Sequence, residues 1–344
     1  MAAGRRVFVS GVGGELGTRV ASMLEDEPWV GLLAGIDADP PRRRLQRTTF
    51  HRIHPDDHDR IVDTITAFNP HLLVHVGVWE PDARAAPKAA ATLTDQAATS
   101  VLGAAAECRA LENIIVRSGI EIYGRGRNAL TRPTEDAPLQ PTSEWGRTVA
   151  DIERTAHKVA TRVGVSVGAV RLAPVLGPHV PSPLGRLLRQ PAVPFSAFHD
   201  PPFAVIEDRD AARAIVAAAR ERLSEPVNVV ASGAITCLHA LRRGRRMPLP
   251  LVGTQWAIAR RFSHLSGAPI PDHVSELLNR GRLADNSRMD ELLGLTAQST
   301  TTDVIDQLYR WPRVIRRPAR EPVLHMEPAH LETAERGTDR KETA

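Results

Sequence analysis

The sequence predicts an α/β protein built on a doubly wound parallel sheet, with a smaller C-terminal lobe. Three observations carry this. Short, near-continuous apolar runs alternate with longer amphipathic stretches over the first half of the chain. A glycine-rich turn separates the first run from the first amphipathic stretch. Beyond Pro174 the texture changes, with prolines at 174, 178, 181, 183, 191, 194, 201 and 202 breaking up regular structure.

Val7 to Ser10 reads as the first strand, Leu16 to Leu24 as the helix after it, and Gly31 to Asp37 as the second strand. A strand near 49–53, a helix at 57–68, a strand at 72–76 and a helix at 89–110 follow, then a strand at 113–117, a helix at 143–163 and a strand at 166–171. Runs such as Leu72-Leu73-Val74 are apolar on both faces, which requires helices on both sides of the sheet. The proline-rich stretch predicts loops and short helices over the sheet edge. Strand-helix-strand patterning returns at 203–230, with Phe203 to Ile206, a helix from Asp208 to Arg222, and Val227 to Val230. From 313 to 344, 13 of 32 residues are charged, which predicts a disordered or loosely attached tail.

Composition narrows the function classes. The 344 residues have a mean hydropathy of −0.22, and no window approaches the roughly 20 apolar residues of a membrane span. Two cysteines, Cys108 and Cys237, cannot build a disulfide framework, and with no export signal they fit a reducing cytoplasm. The net charge is only +4, and the clusters Arg42–Arg44 and Arg242–Arg246 lack interleaved aromatics, so no nucleic-acid groove is expected. Three of the 44 basic residues are lysines, Lys88, Lys158 and Lys341, and the only tyrosines are Tyr123 and Tyr309. His51, His54 and His58, with Asp56, Asp57 and Asp59, fall at a strand end and a helix start, where the acids serve as caps rather than metal ligands.

The strongest motif is Ser10-Gly11-Val12-Gly13-Gly14-Glu15-Leu16-Gly17, between a strand and a helix. Gly11 permits the tight turn, Gly14 lets backbone approach a pyrophosphate, and Gly17 lets the helix pack on the strand. Phosphates would rest on the free amides of the helix N-terminus. Asp37 ends the next strand 20 residues after Gly17, where a carboxylate accepts the ribose hydroxyls of NAD and repels the 2′-phosphate of NADP. Arg42–Arg44 follow too late to be the obvious 2′-phosphate clamp, although a loop could bring one back.

Together these segments resemble the NAD-dependent epimerase/dehydratase family of the extended short-chain dehydrogenase/reductase superfamily. The glycine turn is similar to its T-G-x-x-G-x-x-G motif, and Val74-His75-Val76-Gly77-Val78 to its V-x-H-x-A-A segment. Ser118 to Gly124 resembles S-S-x-x-V-Y-G, Arg171 to Pro178 resembles R-x-x-N-x-Y-G-P, and Phe203 to Ala214 resembles F-x-x-V-D-D-V-A-x-A. The resemblance implies a Rossmann-type domain over 1–174, rejoined by 203–230, and a substrate or partner lobe over 175–312. It also implies an NAD site of Gly11, Gly13, Gly14, Glu15, Leu16, Gly17, Asp37, Val76, Gly77 and Ser118. Homodimer pairing through helices 89–110 and 143–163 is the family default.

The family's catalytic set does not carry over. Its serine or threonine, tyrosine and lysine fall on Gly119, Trp145 and Val149; Ser118 could serve as the serine if the loop were shifted by one residue, but nothing rescues the base. Arg127 and Arg313 stand four residues after the two tyrosines, so the chain holds no Tyr-x-x-x-Lys. A phenol titrates near pH 10 and needs a neighbouring cation to act as a base, and a guanidinium such as that of Arg147 cannot substitute. Pro174 replaces an asparagine that touches the nucleotide-sugar phosphate. Glu121 and Glu144 are the nearby acid/base side chains, and surface exposure is expected for both. Trp145 is expected to fill volume, and Cys108 to be buried and inert. The expected function is an NAD-binding pseudoenzyme or sensor, with an atypical oxidoreductase or epimerase using other proton donors as the alternative.

Overall fold

The computed structural model describes residues 4–252, 256, 263 and 267–311; the tail expected over 313–344 lies outside them. The first half runs β1 (Arg5–Ser10), α1 (Glu15–Glu25), β2 (Val30–Asp37), β3 (Thr48–Arg52), α2 (His58–Phe68), β4 (Leu72–His75), α3 (Pro87–Ala105), β5 (Asn113–Gly119), a 3-10 turn (Ile120–Tyr123), α4 (Glu144–Val163) and β6 (Ser166–Leu172). There follow β7 (Val175–Leu176), α5 (Pro183–Leu188), β8 (Ala192–Ser196), β9 (Ile206–Glu207), α6 (Asp208–Arg220), β10 (Pro226–Val229), α7 (Cys237–Arg243), β11 (Met247–Leu251), α8 (Asp272–Arg280), α9 (Ser287–Leu293) and α10 (Thr301–Arg310).

Seven strands form one parallel sheet in the order β10-β6-β5-β4-β1-β2-β3. Period-two alternation divides each strand between two cores. Val7, Val9, Val74, Ile115 and Val170 face α1 and α6, while Phe8, Leu73, Ile114 and Val116 face α2, α3 and α4. The strand order reverses between β1 and β4, which opens a crevice at their C-terminal ends.

Local chemistry sets the helix ends. The Ser143 hydroxyl caps α4 by accepting the Gly146 N–H at 3.1 Å, and Gly164 closes the helix in the left-handed conformation. Pro87 stands in the first turn of α3, where a missing N–H costs nothing. This helix stops at Ala105 rather than at residue 110. The side-chain oxygen of Asn69 captures the Ala110 N–H at 3.0 Å, and turns over 106–111 lead into β5.

Of the expected strand 203–206, only Ile206 lies in the regular strand β9, which pairs with β7. Segment 208–229 packs α6 on α1 and adds β10 to the sheet beside β6. Residues on either side of it build a third core, in which Leu176, Leu188, Phe203, Ile235, Leu277 and Ile305 are buried. Among the described residues no helix is long and apolar enough to cross a membrane.

One buried polar cluster joins these pieces. Arg171 on β6 donates Nε and Nη2 to the two carboxylate oxygens of Glu153 on α4, at 2.9 and 2.8 Å. Its Nη1 donates to the Tyr123 hydroxyl and the Glu135 carbonyl. The Tyr123 hydroxyl donates to Asn228 Oδ1 on β10 at 2.7 Å, and the Asn228 N–H donates to the Glu135 carboxylate. Removing Glu153 leaves a buried guanidinium without its anion, so Glu153→Ala is expected to lower stability by about 3–5 kcal/mol in urea unfolding. A loss under about 1 kcal/mol would show that water replaces the carboxylate there.

Candidate functional site

The crevice is an open groove between the glycine turn, the ends of β4 and β5, and the loop after β6. Gly11 turns the chain at φ +86°, packed against the Gly77 backbone, where a side chain has no room. A Cβ on Gly17 would collide with the Gly11 carbonyl, which is the close helix-strand contact that this position requires. Gly14 caps α1 with an extended backbone at φ −72°, and a Cβ there would meet only the Gly11 carbonyl at 3.4 Å. The first amides of α1 therefore face an open channel.

Asp37 stands at the end of β2 and lines both this groove and an adjoining apolar slot formed by Ile53, Pro55, Ile61, Trp79, Ala97 and Val101. Its carboxylate accepts backbone N–H bonds from Gly13 at 2.9 Å and Asp39 at 3.0 Å. Burial nevertheless pushes its pKa up. Gly13 thus spends its N–H on orienting Asp37. Gly11, Gly14, Glu15, Leu16, Gly17, Val76 and Gly77 line the groove with Asp37. Ser118 is buried, and its hydroxyl has no hydrogen-bond partner among the described residues.

One sequence alternative is realised and one expectation needs correction. The loop of Arg42–Arg44 folds back onto the turn, because the Thr18 hydroxyl accepts the Arg42 N–H at 2.9 Å and Glu15 draws Arg43 to 3.5 Å. Asp39 in turn pairs with Arg42 at 3.1 Å. Glu121 is buried rather than exposed, since Arg282 Nη1 lies 3.0 Å from its Oε1. Glu144 is exposed.

Around the positions of the missing catalytic set the space is filled. Trp145 and Val149 are 6% and 1% exposed and belong to the sheet core. A side chain on Gly119 would collide with the Glu121 carboxylate. His273, from the start of α8, lies with its ring centroid 6.0 Å from that of Trp145. His273 Nε2 meets Glu80 Oε1 at 3.1 Å, and Glu80 lines the groove beside Arg117. Arg282 also pairs with Glu276 of α8.

Neither phenol is available elsewhere: Tyr123 is held by Arg171 and Asn228, and Tyr309 is half-buried in the third core, its hydroxyl without a hydrogen-bond partner among the described residues. Lys88 and Lys158 are exposed on α3 and α4. His75, wholly buried with Nδ1 2.7 Å from the Ser10 hydroxyl, is pushed down to about 4 by burial and stays neutral. Burial pushes the Cys108 thiol up to about 11, which leaves it unreactive.

Glu80, Arg117, His273 and Arg282 escape the sequence motifs. Arg117 alone carries a visible signal, a charge at the end of the apolar run Ile114-Ile115-Val116. The pairs His273–Glu80 and Arg282–Glu121 span 193 and 161 residues, which no local pattern reports.

A family model described as the NAD dependent epimerase/dehydratase family matches residues 7–229. An uncharacterized protein of Mycobacterium tuberculosis is 26% identical over 315 residues, 88% of this chain and 83% of its own. Among solved structures, UDP-glucose 4-epimerase of Thermotoga maritima with UDP-glucose superposes with a TM-score of 0.69 at 16% identity, over 89% of this chain and 98% of its own. UDP-glucuronic acid 4-epimerase of Bacillus cereus in complex with NAD gives 0.65 at 18% identity, with the same coverages. The dTDP-glucose 4,6-dehydratase of Bacillus anthracis in complex with NAD gives 0.67 at 13%, over 89% and 96%. At these identities the likeness is one of fold.

His273 offers a test of the filled site. Burial alone would lower its pKa, but the Asp272 and Glu80 carboxylates outweigh burial and lift it to about 9. A histidine raised above its unfolded value near 6.5 adds stability below that pH and loses it as pH rises through its folded value. Thermal unfolding is therefore expected to show about 2–3 kcal/mol lost between pH 6.5 and 9, and His273→Gln to remove that slope. An unchanged slope in the variant would mean that His273 is neutral in the fold.

Proposed function

The chain belongs to the NAD-dependent epimerase/dehydratase family, and from that premise we propose that it is an NAD-binding pseudoenzyme that uses the nucleotide site as a sensor or structural element. The residues fit a dinucleotide. Asp37 would take the adenosine ribose hydroxyls, the apolar slot beside it the adenine, and the amides at the start of α1 the pyrophosphate. Asp37 and Asp39 together place two carboxylates where NADP would bring a 2′-phosphate, so NAD is the preferred form despite the nearby Arg42.

Bound NAD supplies a ring that accepts or donates hydride. The chain's own part would be to move a hydroxyl proton in step with that transfer, and the observation that carries the proposal is the filled catalytic quadrant. Trp145 and Val149 occupy the tyrosine and lysine positions, His273 packs on Trp145, and the Glu121–Arg282 pair takes the space before Gly119. Without a positioned acid/base, turnover falls by roughly 10²–10⁴-fold. The sensor reading assigns a small-molecule or protein ligand to residues 175–312. The family premise also supports a homodimer through α3 and α4, whose outer residues Asp95, Thr99, Asp151 and Arg154 are exposed.

One observation favours the alternative of an atypical oxidoreductase or epimerase. Glu80 lines the groove in contact with His273, which places a carboxylate as proton acceptor and a protonated imidazolium as proton donor at the groove's edge. Calorimetry with NAD and NADP, followed by turnover assays on UDP-sugars and hydroxysteroids, separates the readings. NAD binding without reduction by any substrate supports the pseudoenzyme, and reduction that is lost in Asp37→Ala supports the enzyme.

Gly14→Val is expected to weaken NAD binding by more than about 100-fold while unfolding like the parent, because its side chain enters the channel and its backbone tolerates one. Unchanged affinity would remove the pyrophosphate from the start of α1.

A further inference from the structure

The groove ends on a guanidinium that the proposed cofactor site leaves unexplained. Arg117 sits near the end of β5, one residue beyond the β4 ladder and paired with Val170 of β6, and its side chain lines the groove beside Glu80. Its one hydrogen bond within the described residues is a long one, from Nη1 to the Val78 carbonyl at 3.4 Å. No carboxylate among the described residues lies within 4 Å of it. The two acids that face it are engaged elsewhere, Glu80 with His273 at 3.1 Å and Glu121 with Arg282 at 3.0 Å. Burial lowers the pKa of Arg117, but a guanidinium remains charged at neutral pH. This end of the groove therefore presents a guanidinium without a contact anion, its charge offset only at longer range by Glu80 and Glu121.

The direction of a bound dinucleotide follows from features already placed. Asp37 and the apolar slot mark the adenosine end, and the start of α1 marks the phosphates. What remains, between Glu80, Arg117 and Val175, is the nicotinamide end. The nicotinamide ring carries a positive charge when oxidised and none when reduced.

From this charge arrangement we infer that Arg117 makes the site selective for redox state, so that it binds NADH in preference to NAD⁺. The inference rests on the NAD-binding reading and deepens it: the quantity sensed is the reduced form. A like charge in a partly buried groove is repelled, while the neutral ring and its carboxamide oxygen meet a free donor. Arg117 thereby sets specificity without touching a reacting atom.

The test is calorimetry of the full chain with NADH and with NAD⁺, on the parent protein, Arg117→Gln and Arg117→Lys. The parent is expected to bind NADH roughly 10- to 100-fold more tightly than NAD⁺, the gap expected for two unit charges about 6–12 Å apart at an effective dielectric near 20. Arg117→Gln is expected to bring the two within about threefold, chiefly by tighter NAD⁺ binding, and Arg117→Lys to keep the preference because it keeps the charge. Equal affinities in the parent overturn the inference while leaving NAD binding intact. So does a preference that persists undiminished in Arg117→Gln. If the parent binds neither form, the NAD reading itself fails and the inference falls with it. Should Arg117→Gln not fold, the parent's ratio and its retention in Arg117→Lys still decide the matter.

Discussion

The bidentate pair between Arg171 and Glu153 is the contact on which the arrangement of the site depends. Neither group is worth burying alone, and even a paired burial becomes tolerable only when the remaining donors are satisfied. Here they are, by the Tyr123 hydroxyl and the Glu135 carbonyl. The pair fixes α4 against β6, which sets Trp145 at one end of the helix against the sheet core and leads β6 into Val175 at the groove wall. Through Tyr123 and Asn228 the same cluster reaches β10, so the strand completing the sheet is joined by side chains as well as by its ladder.

That cluster also bears on chemistry. Tyr123 lies in the segment that resembles the family's Y-G motif, and its phenol is the one nearest the groove along the chain. Burial raises its pKa, and both its donor and acceptor capacity are used by Asn228 and Arg171. Tyr309 lies in a different core altogether. The scarcity of phenols and lysines in the sequence is thus completed by where the few present are placed. Glu80, Glu121, Glu276, His273 and Arg282 form charged contacts in the vacated region. Such a network holds its own geometry strongly, since truncating one member strands the charge of another.

The sheet, the glycine turn and Asp37 were legible because each depends on residues adjacent in sequence, through strand alternation, a strand-turn-helix spacing and a strand end. Trp145 and Val149 could be placed by counting along a helix. The burial of Glu121 could not, because its partner comes 161 residues later from the end of α8. The sequence allowed a fold-back of Arg42–Arg44 but not its partners, a single threonine hydroxyl and Glu15 at the start of α1. The early end of α3 was set by Asn69, a residue outside the helix. In each case the deciding partner is a polar side chain from elsewhere in the chain.

The binding and catalytic parts of this fold differ in what carries them. A dinucleotide channel is made of backbone: a turn with φ +86° at Gly11, a tight approach at Gly17 and the free amides of α1. Proton transfer is made of side chains on α4 and β5, whose replacement leaves the backbone path untouched if the volume is refilled. Trp145 and Val149 refill it with apolar bulk, and Glu121 occupies the space that a side chain on Gly119 would need. Loss of the family's base is therefore compatible with full retention of its nucleotide groove. What side chains add to this backbone groove is charge, because Arg117 lines it without a contact anion.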